Sequence, residues 1–167
     1  MVVFDTSVLV DLFNINLRGE RRERLDLLIE TLRQKREVVM VPTPAYAEFL
    51  VKSGNARSSY SERIEASNTF RIDPFSKRAA VECAQLLEQA FKLKDRRNVT
   101  KTKFKFDWMI VATARAHGAS CVYHLDSDIG RYATTAGIAA VHIDELPLPK
   151  GTMQLFGEPS NSDASSA

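Results

Sequence analysis

No stretch of this sequence is apolar for long enough to cross a membrane. The N-terminus also lacks the basic region and long apolar segment of a signal peptide, because Asp5 interrupts it. Cysteine is nearly absent. Cys83 and Cys121 lie far apart, show no metal-ligand spacing and are each embedded in apolar sequence. They read as reduced core thiols in a reducing compartment, which points to a cytoplasmic protein with no membrane association. The seven glycines form no phosphate-cradling loop, and no internal repeat is present. Neither sign of charge dominates: a net charge of +2 excludes a globally basic nucleic-acid binder, so any basic surface must be local. What remains is a globular composition, 44% hydrophobic and 26% charged, in 167 residues, enough for one domain with a sizeable core.

Short apolar runs at Val2 to Phe4, Val38 to Val41, Phe70 to Ile72, Cys121 to Tyr123 and Ala139 to Ile143 read as buried strands. Helical spacing lies between most of them, in Leu25, Leu28, Ile29 and Leu32, and again in Ala80, Cys83, Ala84, Leu87 and Phe91. Thr43-Pro44 reads as an N-cap followed by proline at the first helical position, opening a helix through Lys52. Gly118 and Gly137 read as helix stops. Residues 57–68 fit one further helix or a mobile connection. Alternation of strands and helices implies an α/β fold, a parallel sheet of four or five strands sandwiched by helices. The expected domain spans residues 1–146. A C-terminal extension, 147–167, ends in a Ser-rich tail, Gly157 to Ala167, expected to be disordered.

The acids are the chemically informative residues. Asp5 follows the first strand, Glu48 interrupts the apolar AYAEFLV, Asp107 begins the helix FDWMIVATARA, and Asp126 and Asp128 follow CVYHL. In a parallel sheet all strand C-termini share one edge, and helix starts lie at that edge, so Asp5, Glu48, Asp107 and Asp126 can converge on one cleft. Like charges a few ångströms apart destabilise a fold unless neutralised. Carboxylate ligation without cysteine or clustered histidine suits Mg²⁺ or Mn²⁺, and a metal so held can activate a water and stabilise the leaving oxygen of a phosphodiester. Each acid also has a bland reading. Asp107 alone reads as a cap or dipole partner, Asp5 as a turn residue, and Asp128 as a cap before Ile129. Glu48 is harder to dismiss, since a buried acid needs a partner. Thr6 or Ser7 can cap the following helix, or orient a metal-bound water or a phosphate.

Taken in order, VVFDTSVLVDL, PTPAYAEFL, FDWMIVATA and YHLDSDIGRYA resemble the motifs of PIN-domain ribonucleases, and within them VapC-type toxins of toxin–antitoxin pairs. The resemblance runs to about Ile143. It implies metal-dependent cleavage of RNA by a water nucleophile, leaving 5′-phosphate and 3′-hydroxyl ends. Asp5, Glu48, Asp107 and Asp126 match the family's four acids, with Asp5, Asp107 and Asp126 as metal ligands. Ser7 is the better family match of the two hydroxyls. The chain departs from the pattern at His124, where the family commonly has Thr or Ser, and Asp128 offers a second acid there. A cognate antitoxin and a homodimer are the partners the resemblance implies. The apolar residues of Ala45 to Val51 also exceed what one core face needs.

From Lys92 to Lys105 the chain reads KLKDRRNVTKTKFK, seven basic residues and one acid, leading into Asp107. Beside an acidic metal cleft, Lys101, Lys103 and Lys105 are candidates for RNA phosphate contacts, although charge runs are usually solvated surface. Phe91, Phe104 and Phe106 offer rings for base stacking. His117 and His142 read as structural, and His124 as a satisfied histidine at a strand end. A haloacid-dehalogenase-like phosphotransferase would need an acid where Ser7 stands, and a receiver domain would need acids and a lysine that are not evident. The other class to weigh is a catalytically weak PIN-fold module that binds RNA or protein without cutting.

Overall fold

The structure, a computed structural model, describes residues 1–93 and 100–150. Two expectations lie outside them: the middle of the basic segment, 94–99, and the disordered tail. The five apolar runs form one parallel sheet: β1 Val2–Phe4, β2 Val39–Pro42, β3 Phe70–Asp73, β4 Cys121–His124 and β5 Ala139–His142. Their order is β3-β2-β1-β4-β5. The helices are α1 Thr6–Phe13, α2 Glu20–Gln34, α3 Thr43–Lys52, α4 Arg57–Glu65, α5 Lys77–Lys92, α6 Lys101–Ala116 and α7 Ser127–Thr135. Among the described residues no helix is long and apolar enough to cross a membrane.

Side chains alternate along a strand, so each strand feeds two cores. Val3, Met40 and Val122 face one layer with Leu86, Phe104, Trp108, Ile110 and Tyr132 from α5, α6 and α7. Val2, Phe4, Val39 and Val41 face the other, with Leu9, Leu25, Phe49 and Ile64 from α1 to α4. Trp108 and Tyr132 pack with ring centroids 4.6 Å apart, and both are fully buried. Truncating either aromatic core would cost about 3–5 kcal/mol per ring. Cys83 is buried, Cys121 half-buried, and both are free thiols.

Helix ends follow from local chemistry. Gly118 adopts φ +70°, and the amides of Gly118 and Ala119 donate to the carbonyls of Arg115 and Ala114. Gly137 does the same at φ +77°, with Ile138 donating to Ala133. Both are Schellman stops, as the sequence implied, and each turns the chain into the next strand.

Two starts differ from the sequence reading. The cap position of α3 is Pro42, not Thr43; the Thr43 hydroxyl accepts instead from the Phe75 amide at 2.9 Å, tying α3 to the segment after β3. α6 starts at Lys101, six residues before Asp107, with the Thr100 hydroxyl accepting from the Lys103 amide at 3.2 Å. Phe104 is fully buried and lies one turn before Trp108, so the apolar face of α6 extends back through the lysines that masked it. Asp107 is therefore neither a cap nor a first-turn acid.

Candidate active site

All five strands run in parallel, and the connections diverge between the neighbouring strands β1 and β4, the topological switch at which α/β folds open a crevice. Asp5 follows β1 and Asp126 follows β4 at that crevice. Asp5 itself is the N-cap of α1, accepting from the Val8 amide at 2.8 Å. Neither Thr6 nor Ser7 caps that helix. Asp126 is the N-cap of α7, accepting from the Asp128 amide at 2.9 Å. Asp107 comes from inside α6 and Glu48 from α3. The four acids that the sequence proposed meet around one small cavity of about 80 Å³, whose walls include Asp5, Thr6, Ser7, Glu48, Asp107 and Asp126.

The two hydroxyls beside Asp5 each orient an acid. Ser7 Oγ donates to the Asp5 carboxylate, 2.8 and 2.7 Å from its two oxygens. Thr6 Oγ1 donates to Glu48 Oε2 at 2.7 Å, joining α1 to α3. Their contacts are with the carboxylates that bear on the cleft, which is a firmer role than capping.

The electrostatics are set by burial. Asp5 is 1% exposed, and desolvation pushes its carboxyl up to about 6 despite donors from Val8 and Ser7; the nearby Asp126 charge adds to the rise. Asp107 is 6% exposed and also reaches about 6, raised first by burial and further by Asp126 and Glu48, against the pull of Lys103. Burial acts upward on Asp126 too, but Lys103 and the Asp128 amide outweigh it, and Asp126 stays below the ordinary carboxylate range.

Lys103 is the residue whose position the sequence did not reveal. Its ammonium lies 2.7 Å from Asp107 Oδ2, 2.8 Å from Asp126 Oδ2 and 3.8 Å from Asp128 Oδ2. Burial disfavours its charge, but Asp107 and Asp126 more than compensate, and its pKa rises. Lys52 pairs similarly with Glu48 Oε1 at 2.9 Å. Both pairs are four apart on a helix, so the spacing Glu48–Lys52 and Lys103–Asp107 was the available signal. Lys101 and Lys105 are exposed on α6. Asp128 pairs with Arg131 at 3.0 Å.

His124 stands beside Asp126 and acts on it electrostatically, whereas His142 packs behind His124. His124 is 7% exposed, packed edge-to-face on His142 with centroids 5.3 Å apart. Burial, with His142 beside it, pushes it below the ordinary imidazole range. Its Nδ1 is buried without a hydrogen-bond partner among the described residues, while the Asp126 backbone favours the charged form of the ring. His142 is held by the Leu125 carbonyl and the Asp144 amide.

Whether these residues suit a divalent ion can be judged from the donors. They are hard carboxylate oxygens, and Asp5 is a buried acid with no ion pair among the described residues, a group that a cation would relieve. Among the described residues no three acidic, histidine or cysteine side chains already stand in a metal-holding arrangement. Lys103 lies between two of the acids. The donor chemistry fits Mg²⁺ or Mn²⁺, with Asp107 and Asp126 turned to Lys103, Glu48 to Lys52, and Asp5 held by Ser7 and Val8.

Comparison with known proteins agrees with this architecture. The PIN domain family model matches residues 2–134, and the chain belongs to that family. Among solved structures it is similar to VapBC2 from Rickettsia felis, bound to a DNA fragment from its promoter, at 14% identity and TM-score 0.62 over 85% of this chain and 98% of that one. It is also similar to Mycobacterium tuberculosis VapC20, a Sarcin-Ricin loop cleaving toxin, at 21% identity and TM-score 0.54 over 84% and 98%. At these identities the likeness is one of fold. No curated protein matches the chain in sequence.

Proposed function

We propose that this chain is a Mg²⁺- or Mn²⁺-dependent endoribonuclease acting in the cytoplasm as the toxin of a type II toxin–antitoxin pair. The observation that carries the reading is the meeting of Asp5, Glu48, Asp107 and Asp126, from four separate elements, around one cavity at the switch between β1 and β4. The RNA-cleaving description of VapC20 and the assembly of VapBC2 support the substrate class and the antitoxin.

Asp5, Asp107 and Asp126 would hold the ion, and the bound ion supplies an activated water and stabilises the leaving oxygen of the phosphodiester. Ser7 fixes the Asp5 carboxylate and Thr6 fixes Glu48, so neither acid needs to reorganise. Glu48, its Oε1 paired to Lys52, would hold a water or take its proton, or help bind a second ion. Lys101 and Lys105 would position the RNA backbone, a role the sequence also gave to Lys103. Hydrolysis by water leaves 5′-phosphate and 3′-hydroxyl ends.

The nuclease unit is residues 1–146, with 147–167 as an extension. Val51 and Phe106, 72% and 41% exposed, flank a cavity of about 440 Å³ beside the acids, and this face supports a homodimer. A monomer by light scattering across a wide concentration range would defeat the dimer. The alternative, a catalytically weak PIN-fold binding module, is favoured by one feature, the Lys103 ammonium between Asp107 and Asp126. Single-turnover cleavage of a structured RNA panel with and without Mn²⁺ separates the two. Metal-dependent products with 5′-phosphates support the nuclease, whereas cyclic-phosphate ends would remove the water nucleophile.

A further inference from the structure

We infer that Lys103 is a tethered stand-in for the divalent cation: its ammonium bridges Asp107 and Asp126 in the metal-free protein and must leave for an ion to bind. This rests on the metal-dependent reading above and adds an internal competitor to it. The geometry is that of a bridging cation, with Nζ 2.7 and 2.8 Å from carboxylate oxygens on α6 and at the start of α7. Asp107 is deep, its side chain 8% exposed, while the lysine side chain is 43% exposed. The ammonium thus reaches inward from a stem at the cavity mouth and can swing to solvent without unpacking the core.

Position decides against joint occupancy. Lys103 lines the same cavity as Asp5, Asp107 and Asp126, and its Nζ stands 2.7 and 2.8 Å from Asp107 Oδ2 and Asp126 Oδ2. A magnesium ion binds carboxylate oxygens at about 2.1 Å, so an ion on these two oxygens would take the place the ammonium holds. Charge decides the direction of the exchange. Two positive charges, on Lys103 and Lys52, among Asp5, Glu48, Asp107 and Asp126 leave the cluster under-neutralised, and a divalent ion in place of the Lys103 ammonium brings it closer to balance. The consequence is a lower metal affinity than the same carboxylates would have without the lysine, because each binding event must first break its ion pairs.

The test is calorimetric titration of Mn²⁺ into metal-free full-length protein: wild type, Lys103→Met, Lys103→Gln and Lys101→Met. Lys101→Met removes the same charge from the same helix outside the cluster. The expected result is at least tenfold tighter Mn²⁺ binding in both Lys103 variants and a change under twofold in Lys101→Met. In the wild type, the lysine ammonium NMR signal of Lys103, protected in the metal-free protein, should join the exposed lysines when Mg²⁺ is added. Unchanged affinity in the Lys103 variants, an equal gain in Lys101→Met, or a Lys103 signal indifferent to Mg²⁺ would overturn the inference. Absence of Mn²⁺ binding in all four proteins would instead overturn the metal-dependent reading beneath it.

Discussion

Two cation–carboxylate clusters in this protein use similar residues and have different consequences. In one, Arg21 donates from Nε and Nη2 to both oxygens of Asp144, at 2.8 and 2.7 Å, and also reaches Asp11 at 3.3 Å. Arg21 and Asp144 are 41% and 39% exposed, and Arg21 holds Asp144 below the usual carboxylate range. In the other, Lys103 meets Asp107 and Asp126, but Asp107 is buried and titrates near 6 in spite of its partner. Good pairing in water-exposed surroundings relaxes an acid, whereas pairing in a desolvated crevice leaves it short of positive charge. The Arg21 cluster fastens α2 to the turn after β5. The Lys103 cluster leaves Asp107 under-compensated while relaxing Asp126.

The sharpest way to break that contrast is to remove charge from each cluster and compare cleavage. Asp5→Asn, Asp107→Asn and Glu48→Gln should each lower single-turnover RNA cleavage in Mn²⁺ by about a hundred- to ten-thousandfold. Arg21→Met should leave it within about twofold. Wild-type rates in Asp5→Asn would end the mechanism, and Asp128→Asn should be milder than Asp126→Asn.

Stability separates the clusters next. Lys103→Met should cost the metal-free protein about 2 kcal/mol in urea unfolding at neutral pH, because it strands a buried carboxylate. That figure is already discounted for the partial exposure of the lysine. Equal stability of mutant and wild type would mean that Asp107 does not depend on its partner.

A third contrast lies in pH. Asp5 is raised from 3.8 to about 6, so the folded state holds its proton more tightly than the unfolded chain does. Its contribution to the stability of the metal-free protein should therefore fall as pH rises from about 4 to about 6 and flatten above that. Over that window the difference between wild type and Asp5→Asn should change by up to about 2 kcal/mol, read from urea midpoints. A difference independent of pH would show the carboxyl to be unperturbed. The smallest effect belongs to the exposed clamp: Arg21→Met should cost under about 1 kcal/mol, by the same urea titration.

The sheet and most helices were legible because they rest on short-range signals. Apolar runs, the helical spacing of Ala80 to Phe91, and Gly118 and Gly137 each report a local requirement. The four acids were legible as a set, because β1 and β4 end at one edge once the sheet is parallel. The start of α6 was not. Lysines at 101, 103 and 105 hide a helical face whose first two turns bury Phe104 and Trp108 beside the acid Asp107. Lys103 reads as a candidate RNA-phosphate contact for the same reason, since its direction follows from the helix phase and from where Asp126 arrives. The roles of Thr6 and Ser7 were undecided for a related cause: a hydroxyl finds a cap or a carboxylate according to which helix lies opposite, and α3 lies opposite Thr6.

One packing detail joins strand and helix beneath the fourth acid. A Cβ at Gly130 would fall 2.4 Å from Cε1 and Nε2 of the His124 ring, so α7 has a notch where β4 presents a bulky ring. The Gly130 amide also donates to the Asp126 carbonyl at 3.2 Å, in the turn that carries the site's acid. Positions 124 and 130 thus share a single allotment of volume. Bulk on the strand is admitted by its absence on the helix, and the height at which Asp126 stands over the sheet is a property of the pair. A larger residue at 130 asks for a smaller one at 124, so the two act as one unit of packing beneath Asp126.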